Sequence, residues 1–302
     1  MTATLEDLRR ASPSLAPLLD GAERGARAGA PVLILGESGT GRSTLARALH
    51  GASPRSDGPL VEIDPGTVPS SLFESELFGY RRGAFSGADG DHAGRVAQAR
   101  GGTLVLDHVE DLPLAVQPKL LRLLAERRYA PLGGTDTDAD VRFVAIASDD
   151  LADRARRGAF RADLFYRLEV LAFPLPPLRR RRRDLPTLLD LLLGDLGERF
   201  GRDGLSLSPR ARRWMEAYPW PGNLRQVRNV LERDLVIQDG NVLDPEAPVD
   251  AAEARPASLR QVEHDHILRT LAYTRGHQGK AAEILGISRK ALWEKRKRLG
   301  IP

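Results

Sequence analysis

An apolar run, Val32-Leu33-Ile34-Leu35, breaks on Gly36 and passes directly into Glu37-Ser38-Gly39-Thr40-Gly41-Arg42-Ser43-Thr44, after which helix-forming residues continue to His50. A strand apolar on both faces belongs in a parallel sheet covered on both sides, so this strand–turn–helix unit restricts the fold more than any other stretch. The glycines let backbone N–H groups converge, and the following helix start adds partial positive charge, so the turn is suited to phosphate. The candidate cofactor-binding residues are therefore Gly36, Glu37, Ser38, Gly39, Thr40, Gly41, Arg42, Ser43 and Thr44. The Ser43 hydroxyl is placed to reach Mg²⁺. Position 42, where such turns carry Lys, is Arg, a wide planar fork in place of a compact ammonium. The charge is kept but displaced relative to the β- and γ-phosphates of a triphosphate.

The rest of the chain follows the same alternation. Strands are expected at Leu60–Ile63, Thr103–Asp107, Val141–Ala147 and Val170–Phe173. Helices are expected at Ser43–His50, Ser70–Phe78, Leu114–Arg128 and Phe160–Leu168, after a helical lead-in up to about Ala30. Beyond Pro174-Leu175-Pro176-Pro177-Leu178 the pattern reads as helices only, at Leu185–Phe200, Pro209–Ala217 and Asn223–Gln238. The segment 239–257, rich in Pro and acid, reads as a linker. The five consecutive arginines Arg179–Arg183 read as a solvated connector, and Trp220 as core. With no cysteine, disulfides and thiol chemistry are excluded, and His264 and His266, two apart, face different sides of a helix. The absence of a long apolar run or a signal peptide predicts a cytoplasmic protein with no membrane contact.

Charge is unevenly spread. From Glu253 to Pro302 eleven Lys/Arg face five Asp/Glu, a surplus of six against +4 for the whole chain, so the remainder is slightly acidic. A basic end on a near-neutral body suggests a polyanion partner there. That end contains Lys280-Ala281-Ala282-Glu283-Ile284-Leu285-Gly286-Ile287-Ser288-Arg289-Lys290-Ala291-Leu292, which has the grammar of a helix-turn-helix. Small residues allow close helix packing, Gly286 turns, and Ser288 caps the second helix. Ser288, Arg289, Lys290, Trp293, Lys295 and Arg296 are the candidate DNA-binding residues.

Between the phosphate turn and the strand Gly101-Gly102-Thr103-Leu104-Val105-Leu106-Asp107-His108 lie Glu74-Ser75-Glu76-Leu77-Phe78-Gly79 and then Gly83-Ala84-Phe85-Ser86-Gly87-Ala88. The latter presents one large apolar side chain among Gly, Ala and Ser. This order strongly resembles the AAA+ domain of bacterial sigma-54-dependent transcription activators, and the C-terminal segment is similar to their Fis-type domain. The resemblance covers about residues 5–238 and 258–302. It implies an α/β fold, an AAA+ P-loop parallel sheet with a helical lid, plus a small all-α helix-turn-helix domain. The expected domains are a core at 1–178, a lid at 179–238, the linker and a DNA-binding domain at 258–302, without the N-terminal sensing domain many relatives carry.

The resemblance also assigns roles. Gly83, Ala84, Phe85, Ser86, Gly87 and Ala88 would contact sigma-54 RNA polymerase. Asp107 would hold Mg²⁺ with Ser43, and ATP would be the cofactor. His108 stands where the family has the glutamate that activates water, and Asp64 where it has an asparagine, so the pair becomes His108–Asp64. An aspartate-oriented imidazole is itself a general base. Ser148 replaces the asparagine at the sensor I strand tip. Arg161 and Arg167 match the arginine fingers that reach a neighbouring subunit, and Arg225 matches the sensor II arginine behind Asn223, an expected N-cap. Assembly from dimer to hexamer and an enhancer DNA site are implied. Arg42, His108 and Ser148 depart together from the hydrolytic pattern, which predicts impaired ATP hydrolysis. The alternative is a non-catalytic DNA-bound scaffold or repressor.

Overall fold

The computed structural model describes residues 3–248 and, further on, 263, 266, 267, 270, 271, 274 and 277–299. Residues 249–257 of the expected linker therefore lie outside the described residues, as does much of the segment before the helix-turn-helix. The chain forms two compact units, Met1–Ala247 and Pro248–Pro302, which are described separately.

In chain order the strands are β1 (Val32–Leu35), β2 (Leu60–Ile63), β3 (Gly79–Tyr80), β4 (His92–Ala93), β5 (Thr103–Leu106), β6 (Arg128–Tyr129), β7 (Thr137–Asp138), β8 (Arg142–Ala147), β9 (Leu171–Pro174), β10 (Ser206–Leu207) and β11 (Val242–Leu243). Five of them pair in parallel in the order β2-β5-β8-β1-β9. The period of two along each strand divides the core. Leu33, Leu104, Leu106, Phe143 and Ala145 pack on one face against helices Ser70–Phe78, Gln117–Glu126 and Ala162–Leu168. Val32, Ile34, Val105, Val144 and Ile146 pack on the other against helices Ala16–Arg27 and Arg42–Gly51. Each fully buried Leu, Ile or Phe contributes about 1.5–3 kcal/mol.

A buried arginine on a central strand needs an account. Arg142, 3 % exposed, donates to the carbonyls of Gly25 (2.9 Å) and Leu49 (3.4 Å). Both carbonyls lie in the last turns of helices, where orphan C=O groups carry partial negative charge. Two helix ends thus serve as the counter-charge of one guanidinium.

The lid helices Leu185–Phe200, Pro209–Ala217 and Asn223–Ile237 close on Trp220, which is fully buried and donates its indole N–H to the Met215 carbonyl (2.8 Å). The lid is not helices only: β10 and β11 pair in parallel as a short ribbon. Two further hairpins, β3–β4 and β6–β7, escaped the sequence reading because strands of two residues carry no periodicity. The helix expected from Leu114 starts at Gln117, since Pro118 is tolerated only in a first turn. The lead-in consists of Leu5–Ala11, closed by a reciprocal Thr4–Asp7 capping box, and Ala16–Arg27.

Candidate functional site

Parallel strands deliver their C-terminal ends to one edge of the sheet, so β1, β2, β5 and β8 bring Gly36, Asp64, Asp107 with His108, and Ser148 to that edge. There a cavity of ≈ 380 Å³ is lined by Gly39, Gly41, Arg42, Ser43, Thr44, Asp107 and His108 from the core and by Leu192, Leu224, Arg225 and Arg228 from the lid. Gly39 and Gly41 have φ of +79° and +104°, a left-handed backbone that an L side chain adopts only under strain. Ser43 Oγ donates to Asp107 Oδ2 (3.2 Å). Two such oxygens side by side suit Mg²⁺, which takes few protein ligands and shares the rest with phosphate and water.

The expected His108–Asp64 pair is present, with His108 Nδ1 3.0 Å from Asp64 Oδ2. On the other side of the ring, Arg42 Nη2 lies 3.4 Å from His108 Nε2, while Arg42 Nη1 donates to the Gly36 carbonyl (2.8 Å). A guanidinium only donates, so in this arrangement Nε2 accepts and Nδ1 carries the proton given to Asp64. Arg42, 6 % exposed, is thereby turned back onto its own loop. His108 itself sits at φ +49°, a strained conformation for a non-glycine residue at a strand tip.

The front half of the glycine turn faces the lid. Glu37 accepts from both terminal nitrogens of Arg179 (2.7 and 2.5 Å) and from Asn223 Nδ2 (3.2 Å). These bonds, Arg179 foremost, hold its carboxyl below the ordinary glutamate range. Asn223 Nδ2 also donates to the Ser38 carbonyl (3.0 Å), and its Oδ1 accepts from the Leu178 amide (2.7 Å). Asn223 is therefore no N-cap. It is fully buried at φ +52°, and its three elements lie too far apart in sequence for local cap rules to anticipate. The Arg179–Arg183 run is a solvated connector only in part: Arg180, Arg182 and Arg183 are exposed, while the other two are engaged. Arg179 clamps Glu37, and Arg181, 4 % exposed, donates to the Thr40 carbonyl (2.6 Å) and Ser12 Oγ (3.2 Å). Burial pushes the Arg181 pKa down. Arg225 Nη1 donates to Ser38 Oγ (2.5 Å).

Gly83–Ala88 closes on itself through Gly83 N–H to the Ala88 carbonyl (2.9 Å), with Gly83 at φ +81° and Gly87 at φ +97°. Phe85 is 42 % exposed and sets its ring edge-on to Tyr80 at 4.9 Å, while Tyr80 stacks on His92 at 5.2 Å. It neither enters the core nor stands free. The loop between β6 and β7 braces this arm: Arg81 N–H donates to the Leu132 carbonyl (2.9 Å), and a Cβ on Gly133 would come within 3.0 Å of the Ala84 Cβ.

Other expected residues are placed elsewhere. Ser148 does not line the cavity: its hydroxyl donates to Asp150 and its amide to Glu110 (3.0 Å), a short side chain satisfied locally. Arg161 pairs with Asp163 (2.7 Å), and Arg167 donates to the Leu124 carbonyl (3.2 Å), both outside the cavity lining of their own chain. Sequence reading missed Leu192, Leu224 and Arg228. The i, i+3 spacing of Arg225 and Arg228 would have signalled the last.

In the C-terminal unit, helices Gln278–Ile284 and Arg289–Leu299 pack through Ala281, Ala282 and Leu292, joined at Gly286 (φ +65°). Ser288 Oγ accepts from the Ala291 amide (3.1 Å), the expected cap. Arg289, Lys290, Trp293 and Lys297 are exposed, with the Lys297 ammonium 5.3 Å from the Trp293 ring centre. Lys295 and Arg296 are half-buried instead, and Lys295 pairs with Glu263. Lys297 is thus added to an exposed basic face on which Arg289 and Lys290 stand as expected.

Residues 8–174 match the sigma-54 interaction domain, 179–263 the AAA+ ATPase lid domain, and 258–299 the bacterial regulatory protein, Fis family. The chain is 41% identical over 306 residues to the alginate biosynthesis transcriptional regulatory protein AlgB of Pseudomonas aeruginosa, covering 98% of this chain and 68% of that one. It is 41% identical over 294 residues to the transcriptional regulatory protein ZraR of Salmonella typhimurium, covering 94% and 67%. Among solved structures, NtrX from Brucella abortus superposes with a TM-score of 0.73 at 32% identity over 98% of this chain and 70% of that one, and has also been solved with ATP. No described helix is long and apolar enough to cross a membrane. Sheet order, glycine turn, phenylalanine arm and helix-turn-helix agree with these matches, and the chain belongs to the family of sigma-54-dependent transcriptional regulators.

Proposed function

We propose that this chain binds ATP with Mg²⁺ in the cavity between core and lid, binds DNA through its C-terminal unit, and engages sigma-54 RNA polymerase with the Gly83–Ala88 arm. The observation that carries this reading is a half-exposed Phe85 on a braced arm in the same α/β unit as the cavity. A bound triphosphate supplies the energy of its terminal phosphoryl bond. Gly39, Gly41 and Thr44 present backbone to the phosphates, Ser43 and Asp107 hold the metal, and Arg225 links the lid to Ser38. Arg161 and Arg167, exposed or pointing away from their own cavity, are assigned to a neighbouring copy in a homo-oligomer. Ser288, Arg289, Lys290 and Trp293 meet DNA, with Lys297 added and Lys295 and Arg296 supporting.

Hydrolysis is slow in this reading. The Nε2 lone pair that would accept a proton from water is already used by Arg42. Loss of a positioned general base costs ~10²–10⁴ in rate. The same contact favours the second reading, a DNA-bound scaffold or repressor that binds ATP without turning it over. Both are tested by measuring ATP affinity, phosphate release and sigma-54 capture on one preparation, with Phe85→Ala as control. Binding with weak turnover and Phe85-dependent capture is the expected outcome. Turnover at the ordinary AAA+ rate refutes the impaired site, and capture that survives Phe85→Ala refutes the arm's role.

A further inference from the structure

We infer that Arg228 is a phosphate-binding residue of the cavity, supplied by the lid in place of the charge that position 42 turns inward. The inference rests on the ATP reading above. Three guanidinium groups line the cavity, those of Arg42, Arg225 and Arg228. The first is tied to the Gly36 carbonyl and to His108 and is 6 % exposed. A polyanion entering the cavity therefore meets the lid arginines first. Arg228 lies three residues after Arg225 on helix Asn223–Ile237, one turn along the same face. Its guanidinium is paired to Asp195 Oδ2 at 2.7 Å, and that carboxylate's side chain is 57 % exposed. An exposed pair of this kind is weakly held and readily exchanged. Phosphate offers the same fork a bidentate, doubly charged acceptor. Asp195 thus acts as a stand-in anion that keeps Arg228 at the cavity mouth and competes with nucleotide for it.

The pairing gives a test with two opposite signs. ATP is titrated calorimetrically, with excess Mg²⁺, into the full chain and into the variants Arg228→Ala, Arg228→Lys and Asp195→Asn, with melting temperatures as a folding control. One lost charge-assisted hydrogen bond corresponds to a roughly tenfold weaker Kd for Arg228→Ala. Arg228→Lys should recover part of that loss, since the charge remains but the fork does not. Asp195→Asn should tighten binding about two- to threefold by removing the competitor. Unchanged affinity in both Arg228→Ala and Asp195→Asn overturns the inference. So does equal weakening in both, which would make the ion pair a structural strut. If the unaltered chain binds no ATP, the nucleotide reading itself fails, a result distinct from either.

Discussion

Replacing His108 by glutamate, the residue that the resemblance implies at that position, should harm this chain unless Asp64 is changed with it. His108 Nδ1 lies 3.0 Å from Asp64 Oδ2 and 3.6 Å from Asp107 Oδ1. A carboxylate placed in the ring's position therefore faces two others, with Arg42 as the nearby cation. Two like charges about 4 Å apart repel by about 4 kcal/mol at an effective dielectric of 20. The side chains of His108 and Asp64 are 34 % and 29 % exposed, so screening lowers this. A net cost near 2 kcal/mol remains, or a fall in Tm of about 4–8 °C for a unit of this size. His108→Glu alone should thus be less stable and no faster. Asp64→Asn with His108→Glu should recover the stability, because the amide donates to the new carboxylate, and should raise phosphate release about tenfold or more over the unaltered chain. A double-mutant cycle by thermal melts and phosphate release measures the coupling. If the two changes add within ~0.5 kcal/mol, the argument that the pair is one unit is refuted.

Three further outcomes follow from the same geometry. Asn223→Ala orphans the Leu178 amide and the Ser38 carbonyl, and should cost about 2–4 kcal/mol in denaturant melts, with Asn223→Asp intermediate. Glu37 has a lowered pKa, so its contribution is complete above the ordinary glutamate value and lost as pH falls through the lowered one. The Tm difference between the unaltered chain and Glu37→Gln should stay constant from pH 8 to about 5 and shrink progressively as pH falls below the ordinary glutamate value toward the lowered one. Trp293→Ala, at an exposed site, should leave the unfolding free energy within about 0.5 kcal/mol of the original while weakening DNA retention in a mobility-shift assay.

The sheet was legible because period-two apolar strands separated by periodic helices admit few arrangements, and β1, β2, β5 and β8 stand within a residue of where the pattern puts them. The His108–Asp64 contact was legible too, since parallel pairing of β2 with β5 aligns the two strand tips. What stayed hidden depends on partners distant in sequence. Arg181 reads as one of five solvated arginines because its acceptors, a carbonyl at Thr40 and a hydroxyl at Ser12, carry no charge to advertise the pairing. Asn223 reads as a cap because local rules know only the helix it opens. Lys295 reads as a DNA contact because its sequence neighbours are basic, while Glu263, thirty-two positions earlier, claims it.

Arg181 also bears on how the first unit comes apart. Its guanidinium spans the lead-in and the glycine turn, and Asp184, three residues on, accepts from the Ser14 amide (3.1 Å) and hydroxyl (2.5 Å). The chain's beginning is thus fastened to the root of its three-helix cap through the nucleotide loop. Thermal denaturation of core and cap should be a single cooperative event, and trimming the first fifteen residues should loosen the cap, more than a hundred and fifty residues away in sequence.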